Sequence, residues 1–156
     1  MILLILYLLP LVYANSIELL SKNKPTSQSS TYQIYTSNYA VDGNKGQNLV
    51  EDKCSHTDYD DQPWWIVDLE EEVTIILISL YTRCDFKGSR QIGVIVEVLG
   101  VDDSITKVCG KINKEETGYI FWCNELTGVK GNKVRIRLER REVLMLCEVQ
   151  VFGNRT

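Results

Sequence analysis

From Asn132 to Glu139 apolar and polar residues alternate: Val134, Ile136 and Leu138 fall on one face, Lys133, Arg135 and Arg137 on the other. A period of two marks a strand with one face in a core and the other in water. Strand-like runs recur at Trp64–Leu69 after Pro63, Val73–Tyr81, Ile92–Leu99, Tyr119–Cys123 and Val143–Phe152. β-branched and aromatic residues fill these runs, and turn residues separate them. Almost nothing repeats at helical spacing, and Ser21–Ser30 is polar and turn-like. The pattern predicts an all-β sandwich or barrel.

Composition narrows the class. A chain of 156 residues is enough for one domain with its own core. Its net charge of -4 argues against a general nucleic-acid binder, which would be basic. Met1–Ala14, MILLILYLLPLVYA, is almost wholly apolar and carries no charge. It is short of the about 20 apolar residues that a bilayer span needs. Val12-Tyr13-Ala14 ends it in a small residue, as a signal-peptidase site does. Residues 1–14 therefore read as a secretory signal and 15–156 as the mature, extracellular domain, with no integral membrane segment.

Secretion changes how the five cysteines, Cys54, Cys84, Cys109, Cys123 and Cys147, are read. In an oxidising compartment two disulfides and one leftover thiol is the economical arrangement, with the pairing left open. No CxxC pair occurs, so a zinc site has little support. Asn154-Arg155-Thr156 is a glycosylation sequon at the extreme C-terminus.

Several charged or aromatic features admit a bland reading. Lys133, Arg135 and Arg137 could form a basic stripe for sulfated glycans or phospholipid. Strand alternation already explains them as a solvated face. Glu70–Glu72 and Asp58–Asp61 read as solvated loops, and Trp64 and Trp65 as core rather than as sugar-stacking platforms.

The candidate chemistry lies in His56, the only histidine, with Arg83, Asp85 and Arg90. Imidazole and guanidinium groups present rigid N–H donors to hydroxyl groups and ring oxygens. Apart from the Cys84 thiol the set has no good nucleophile. A glycosidase needs two facing carboxylates, and Asp85 is alone between arginines that keep it ionised. Such a set suits holding a sugar better than cleaving one.

The spacing of His56, Arg83, Asp85 and Arg90 resembles the sugar-binding signature of the F-type lectins (fucolectins). Lys24–Ser30 is similar to that family's N-terminal strand, and Ala40-Val41-Asp42-Gly43-Asn44 to its calcium loop. Pro63–Leu69 and Leu146–Gly153 resemble two further family blocks, so the resemblance covers nearly the whole mature chain. It implies a jelly-roll β-sandwich, discoidin-like and galactose-binding-domain-like, with a pocket in the loops at one end. It further implies that His56, Arg83 and Arg90 bind α-L-fucose through its ring oxygen and its 3- and 4-hydroxyls. Asp85 would orient one guanidinium by a charge-assisted bond.

Where the family packs an adjacent-cysteine disulfide on the sugar methyl, this chain has Phe86 and Lys87. Phe86 is expected to supply that apolar contact, helped by Leu49. Asp42-Gly43 is a turn signal by itself. The resemblance adds a structural Ca2+, bound by the side chains of Asp42, Asn44 and Glu148 and by backbone carbonyls near Tyr39, Lys53 and Cys147. It also implies the disulfides Cys54–Cys147 and Cys109–Cys123, with Cys84 left over. The implied function is a secreted, calcium-stabilised, non-catalytic lectin for fucosylated glycans of microbial or host surfaces. A homo-oligomer would supply multivalency. The alternative is a discoidin-like adhesion module binding phospholipid or protein, for which Leu49 and Val50 are the only apolar loop candidates.

Overall fold

The computed structural model describes residues 16–85 and 88–155; Met1–Ala14, Phe86 and Lys87 lie outside the described residues. The strands are β1 (Glu18–Leu19), β2 (Thr26–Gln28), β3 (Ser55–His56), β4 (Trp64–Tyr81) and β5 (Ile95–Leu99). They continue as β6 (Ile105–Lys111), β7 (Gly118–Trp122), β8 (Val129–Arg137), β9 (Met145–Leu146) and β10 (Glu148–Arg155). One short helix, α1 (Leu49–Asp52), and 3-10 turns at Ser37–Val41 and Gly88–Gln91 complete the described elements.

All described pairings are antiparallel, and the main sheet runs β1-β10-β4-β8-β5-β6. β4 joins the two layers of the sandwich. Its first half, through Trp65, Ile66 and Val67, lies between β2 and β8. Its second half, from Leu77 to Tyr81, lies between β7 and β10. The two runs predicted at Trp64–Leu69 and Val73–Tyr81 are therefore one strand. The register against β8 shifts between Asp68 and Val73. Glu70 adopts φ 67°, and Glu70, Glu71 and Glu72 remain in solvent. Three adjacent carboxylates cannot be buried, so the strand turns them outward at the bulge.

Inward residues of both layers meet in one core. Trp65, Val67, Val96, Val98, Val134 and Ile136 face Ile78, Leu80, Val149 and Val151. Each such side chain contributes about 1.5–3 kcal/mol by leaving water. Trp65 is core, as read from the sequence, while Trp64 is only half-buried on the outer face.

The basic residues of β8 are neither a free stripe nor simply solvated. Glu97 on β5 is 0% exposed, and its carboxylate accepts from Arg135 Nε at 2.7 Å and Arg137 Nη2 at 2.8 Å. Lys133 pairs with Asp103 at 2.6 Å, and Arg137 reaches Glu139 at 2.9 Å. Burial pushes the Glu97 carboxyl up, but the hydrogen bonds and positive charges of Arg137 and Arg135 together outweigh it and hold the group below its ordinary range. The stripe is neutralised within the protein.

Cys54–Cys147 and Cys109–Cys123 are disulfide-bonded, and Cys84 is a free, exposed thiol. The first bridge ties the segment before β3 to the residue between β9 and β10. Together with the β3–β9 pairing, Ser55 to Leu146 and His56 to Met145, it fixes the loop end of the sandwich.

Candidate functional site

Four loops meet at that end, each held by its own local chemistry. His56 sits on β3, 7% exposed; its backbone N–H donates to the Tyr35 carbonyl at 3.1 Å and its carbonyl accepts from Tyr32 at 2.9 Å. Arg83 leaves the end of β4. Arg90 sits on the 3-10 turn, whose backbone is strapped by Arg140 Nη2 donating to the Arg90 carbonyl at 2.8 Å. Leu49 opens α1, whose first turn is capped by the Asn48 side chain accepting from Val50 and Glu51. Leu49 packs with Tyr35 and the Cys54–Cys147 bridge.

These loops enclose a cleft of about 540 Å³ lined by Tyr32, Leu49, His56, Arg83, Arg90 and Val143, with Asp58 and Tyr59 at its rim. Its size suits a monosaccharide with part of a neighbour. Two other grooves, of about 510 and 330 Å³, run along the outer sheet over Ile66 and Arg135. Apart from Asp68, whose carboxylate accepts from the Glu70 N–H, their charged groups are the pairs around Glu97 and Asp103 described above, which leaves them less to offer a ligand.

The electrostatics of the cleft follow from four contacts. Arg83 donates from Nε and Nη2 to the two Asp85 oxygens, both at 2.9 Å, and from Nη1 to the Met145 sulfur at 3.4 Å. The Arg83 hydrogen bond holds the Asp85 carboxyl below its ordinary range against partial burial. Arg90 Nε stands 3.8 Å from Glu142. His56 Nδ1 lies 2.6 Å from the Thr57 carbonyl. A carbonyl only accepts, so Nδ1 carries the proton there. Burial, reinforced by Arg83 and Arg90, pushes the imidazole below its usual 6.5, against the pull of the Thr57 carbonyl and Asp58. At neutral pH the ring is neutral and Nε2 offers a lone pair. The sequence reading took His56 as another N–H donor; with its Nδ1–H given to Thr57, Nε2 is left as an acceptor beside the arginine donors.

His56, Arg83 and Arg90 all line one cleft, and Leu49 joins them. Asp85 is not among the residues that line it but holds Arg83 from beside it, and the carboxylate that lines the cleft is Asp58. The reading of Asp58–Asp61 as a solvated loop agrees with the exposure of Asp58, Tyr59 and Asp61, and the loop has a second role beside it. Asp58 lines the cleft, and Asp60 accepts from Ser29 Oγ at 2.6 Å and bridges to Glu142. Phe86, expected at the sugar methyl, lies outside the described residues. Cys84 is exposed and does not line the cleft. Tyr32, Tyr59 and Val143 were not found from the sequence. The Tyr32 ring lies tilted by 37° with its centre 4.9 Å from that of His56, a contact between residues far apart in the chain that no local pattern announces.

The expected calcium residues gather beneath α1. Asp42 Oδ1 accepts from the Asn44 N–H at 2.8 Å, and Gly43 N–H donates to Glu148 at 3.3 Å. Asn44 Oδ1 accepts from Gly46 at 2.8 Å. Lys53 adopts φ 57°, with its ammonium 5.7 Å over the Tyr39 ring. Cys147 N–H donates to the Tyr81 carbonyl at 2.8 Å. Glu148 is 1% exposed; burial first, and the nearby Asp42 carboxylate, push its carboxyl up to about 7. Among the described residues no group of three His, Cys, Asp or Glu side chains gathers to hold a metal. A hard cation here would need amide and carbonyl oxygens beside the two carboxylates. A buried carboxyl with one long backbone donor, beside a second carboxylate and an amide oxygen, fits that demand. Lys22 and Lys45 partly offset the negative charge.

The sandwich with its ligand-sized loop cleft defines a galactose-binding-type β-sandwich domain, and the profile described as "NedA-like, galactose-binding domain" matches residues 39–136. Fucolectin-1 of Anguilla japonica is 34% identical over 119 residues, covering 72% of this chain and 65% of that protein, just under two thirds of its length. Fucolectin of Anguilla anguilla is 32% identical over 118 residues, covering 72% of this chain and 73% of that one. A solved Streptococcus pneumoniae fucose binding module superposes with a TM-score of 0.81 at 29% identity, covering 88% of this chain and 99% of the module. The chain belongs to the F-type lectin, or fucolectin, family.

Proposed function

We propose that this protein is a secreted lectin that binds fucosylated glycans through the loop cleft and performs no catalysis. The convergence of Arg83, locked by Asp85, with Arg90 and His56 in that one cleft carries the reading. Arginine N–H groups meet the ring oxygen and hydroxyl lone pairs, and His56 Nε2 takes a hydroxyl proton in hydrogen bonding. Leu49 and Val143 give the apolar side that a methyl-bearing sugar needs. The fucolectin relatives and the fucose binding module support the choice of sugar.

Asp58 is the cleft's single carboxylate, so the facing pair a glycosidase requires is not assembled among the described residues. The Cys109–Cys123 and Cys54–Cys147 bridges support an oxidising, extracellular location. No described helix is long and apolar enough to cross a membrane. Calcium, held by Asp42, Asn44 and Glu148 with carbonyls of Tyr39, Lys53 and Cys147, would supply local positive charge that keeps Glu148 ionised and fixes the loop below α1. A single shallow site binds modestly, so assembly into homo-oligomers would supply avidity.

The phospholipid or protein-adhesion alternative has less behind it. Leu49 is folded inward, leaving Val50, 73% exposed, as the only apolar side chain of α1 offered to a membrane. A glycan array probed with and without calcium tests the reading. Fucosylated spots should light up with the wild-type protein and go dark with a folded Arg83→Ala variant. Retained binding by that variant removes the site assignment.

A further inference from the structure

Tyr59 stands at the rim of the cleft with 57% of its surface in water, on a backbone pinned from both sides. Asp58 N–H donates to Ser30 Oγ at 2.8 Å. Asp60 and Glu142 exchange backbone hydrogen bonds of 3.2 and 3.1 Å, and Gln62 N–H donates to the Arg140 carbonyl at 3.3 Å. The Arg141 guanidinium lies 5.2 Å from the centre of the Tyr59 ring and 3.7 Å from Asp61. The core does not use this ring. An exposed aromatic on a fixed backbone loses little entropy when a ligand covers it, which makes it an efficient contact surface.

Asp58, next to it, also lines the cleft. Among the described residues no donor side chain bonds its carboxylate, although it lies close enough to His56 to act on that ring's charge. An apolar ring face beside an acceptor matches a pyranose, which has a C–H face for stacking and hydroxyl donors at its edge. His56, Arg83 and Arg90 account for neither feature.

We infer that Tyr59 and Asp58 form a second subsite for a neutral pyranose attached to the fucose. The ligand is then a fucosylated disaccharide edge rather than fucose alone. This rests on the fucose reading above. The Asp58 carboxylate disfavours a sulfated or carboxylated sugar at this position by like-charge repulsion. The nearby Arg141 guanidinium is already engaged with Tyr59 and Asp61.

Calorimetric titration of the full domain with methyl α-L-fucoside and with fucosyl-α1,2-galactose tests the inference. The wild-type protein should bind the disaccharide about two- to tenfold more tightly, the range expected for one added stacking contact. Tyr59→Ala should bring that ratio close to one, and Tyr59→Phe, which keeps the ring, should preserve it. A wild-type ratio of one, or a ratio unchanged in Tyr59→Ala, overturns the second subsite while fucoside binding leaves the primary site standing. Absence of fucoside binding by the folded wild-type protein overturns the fucose reading and this inference with it.

Discussion

Arg83 and Asp85 face each other as a closed fork, with Nε to Oδ1 and Nη2 to Oδ2 both at 2.9 Å. The planar guanidinium matches the carboxylate edge, so the remaining nitrogen, Nη1, has one direction left. Asp85→Asn keeps the shape and loses the charge-assisted pair. Fucoside affinity is expected to fall about tenfold, equivalent to about 1.4 kcal/mol. The fork is partly in water, so the change in unfolding free energy should stay within about 1 kcal/mol. Calorimetry and thermal melting on one sample separate the two effects. A large stability loss with unchanged affinity would show that the fork is a packing element alone.

His56 sets the pH response. Its pKa is lowered in the fold, so the unfolded chain binds more protons between pH 6.5 and the lowered native value. The His56 contribution is therefore intact above 6.5 and is lost as pH falls through that window, while Glu148, with its carboxyl pushed up to about 7, acts on stability in the opposite sense. Sugar binding should follow the direction of His56, because a protonated Nε2 no longer accepts and adds a third cation beside Arg83 and Arg90. Affinity measured from pH 8 down to 5 should be flat at first and then fall. A rise on acidification contradicts the neutral-imidazole assignment.

The two disulfides differ in the length of chain they close. Cys54 and Cys147 are 93 residues apart, Cys109 and Cys123 only 14. Loop-closure entropy gives about 4–5 kcal/mol for the long bridge and about 3 kcal/mol for the short one. Replacing each pair by serine should lower the denaturation midpoint more for Cys54–Cys147. The long bridge also packs on Leu49, so its loss should weaken sugar binding, whereas removing Cys109–Cys123 should not.

Calcium gives a fourth test. Addition to the metal-stripped wild-type protein should raise Tm by about 5 °C or more at saturation. Asp42→Ala should abolish that increment. Equal stabilisation of both proteins would assign the cation elsewhere.

Much of this architecture was legible because it depends on near-neighbour patterning. The alternation through Val134, Ile136 and Leu138 reports a buried face directly, and all three are buried on or just beyond β8. β6 was not legible: Ile105 and Val108 are about half exposed and no side of the strand is fully buried, so it lacks the period-two signal. β1, β3 and β9, two residues each, are fixed by their partners rather than by propensity. In the site, His56, Arg83 and Arg90 stood out by type and spacing. The tautomer of His56 did not, because it depends on a carbonyl orientation. Nor did Asp58 and Tyr59, whose loop looks solvated until Glu142 and Ser30 are seen to hold it against the cleft.

The pairing of β1 with β10 has a practical side. Glu18 and Arg155 sit at one corner, linked at 3.2 Å, and β10 runs from there, beside Val73, to Glu148 beside Tyr81. Eight residues of strand span about 25 Å, so both ends of the described chain emerge about that far from Tyr81, two residues before Arg83. A bead, sensor surface or fused partner attached at either end would leave the cleft pointing outward. Immobilised preparations should keep the same sugar capacity whichever terminus carries the tag.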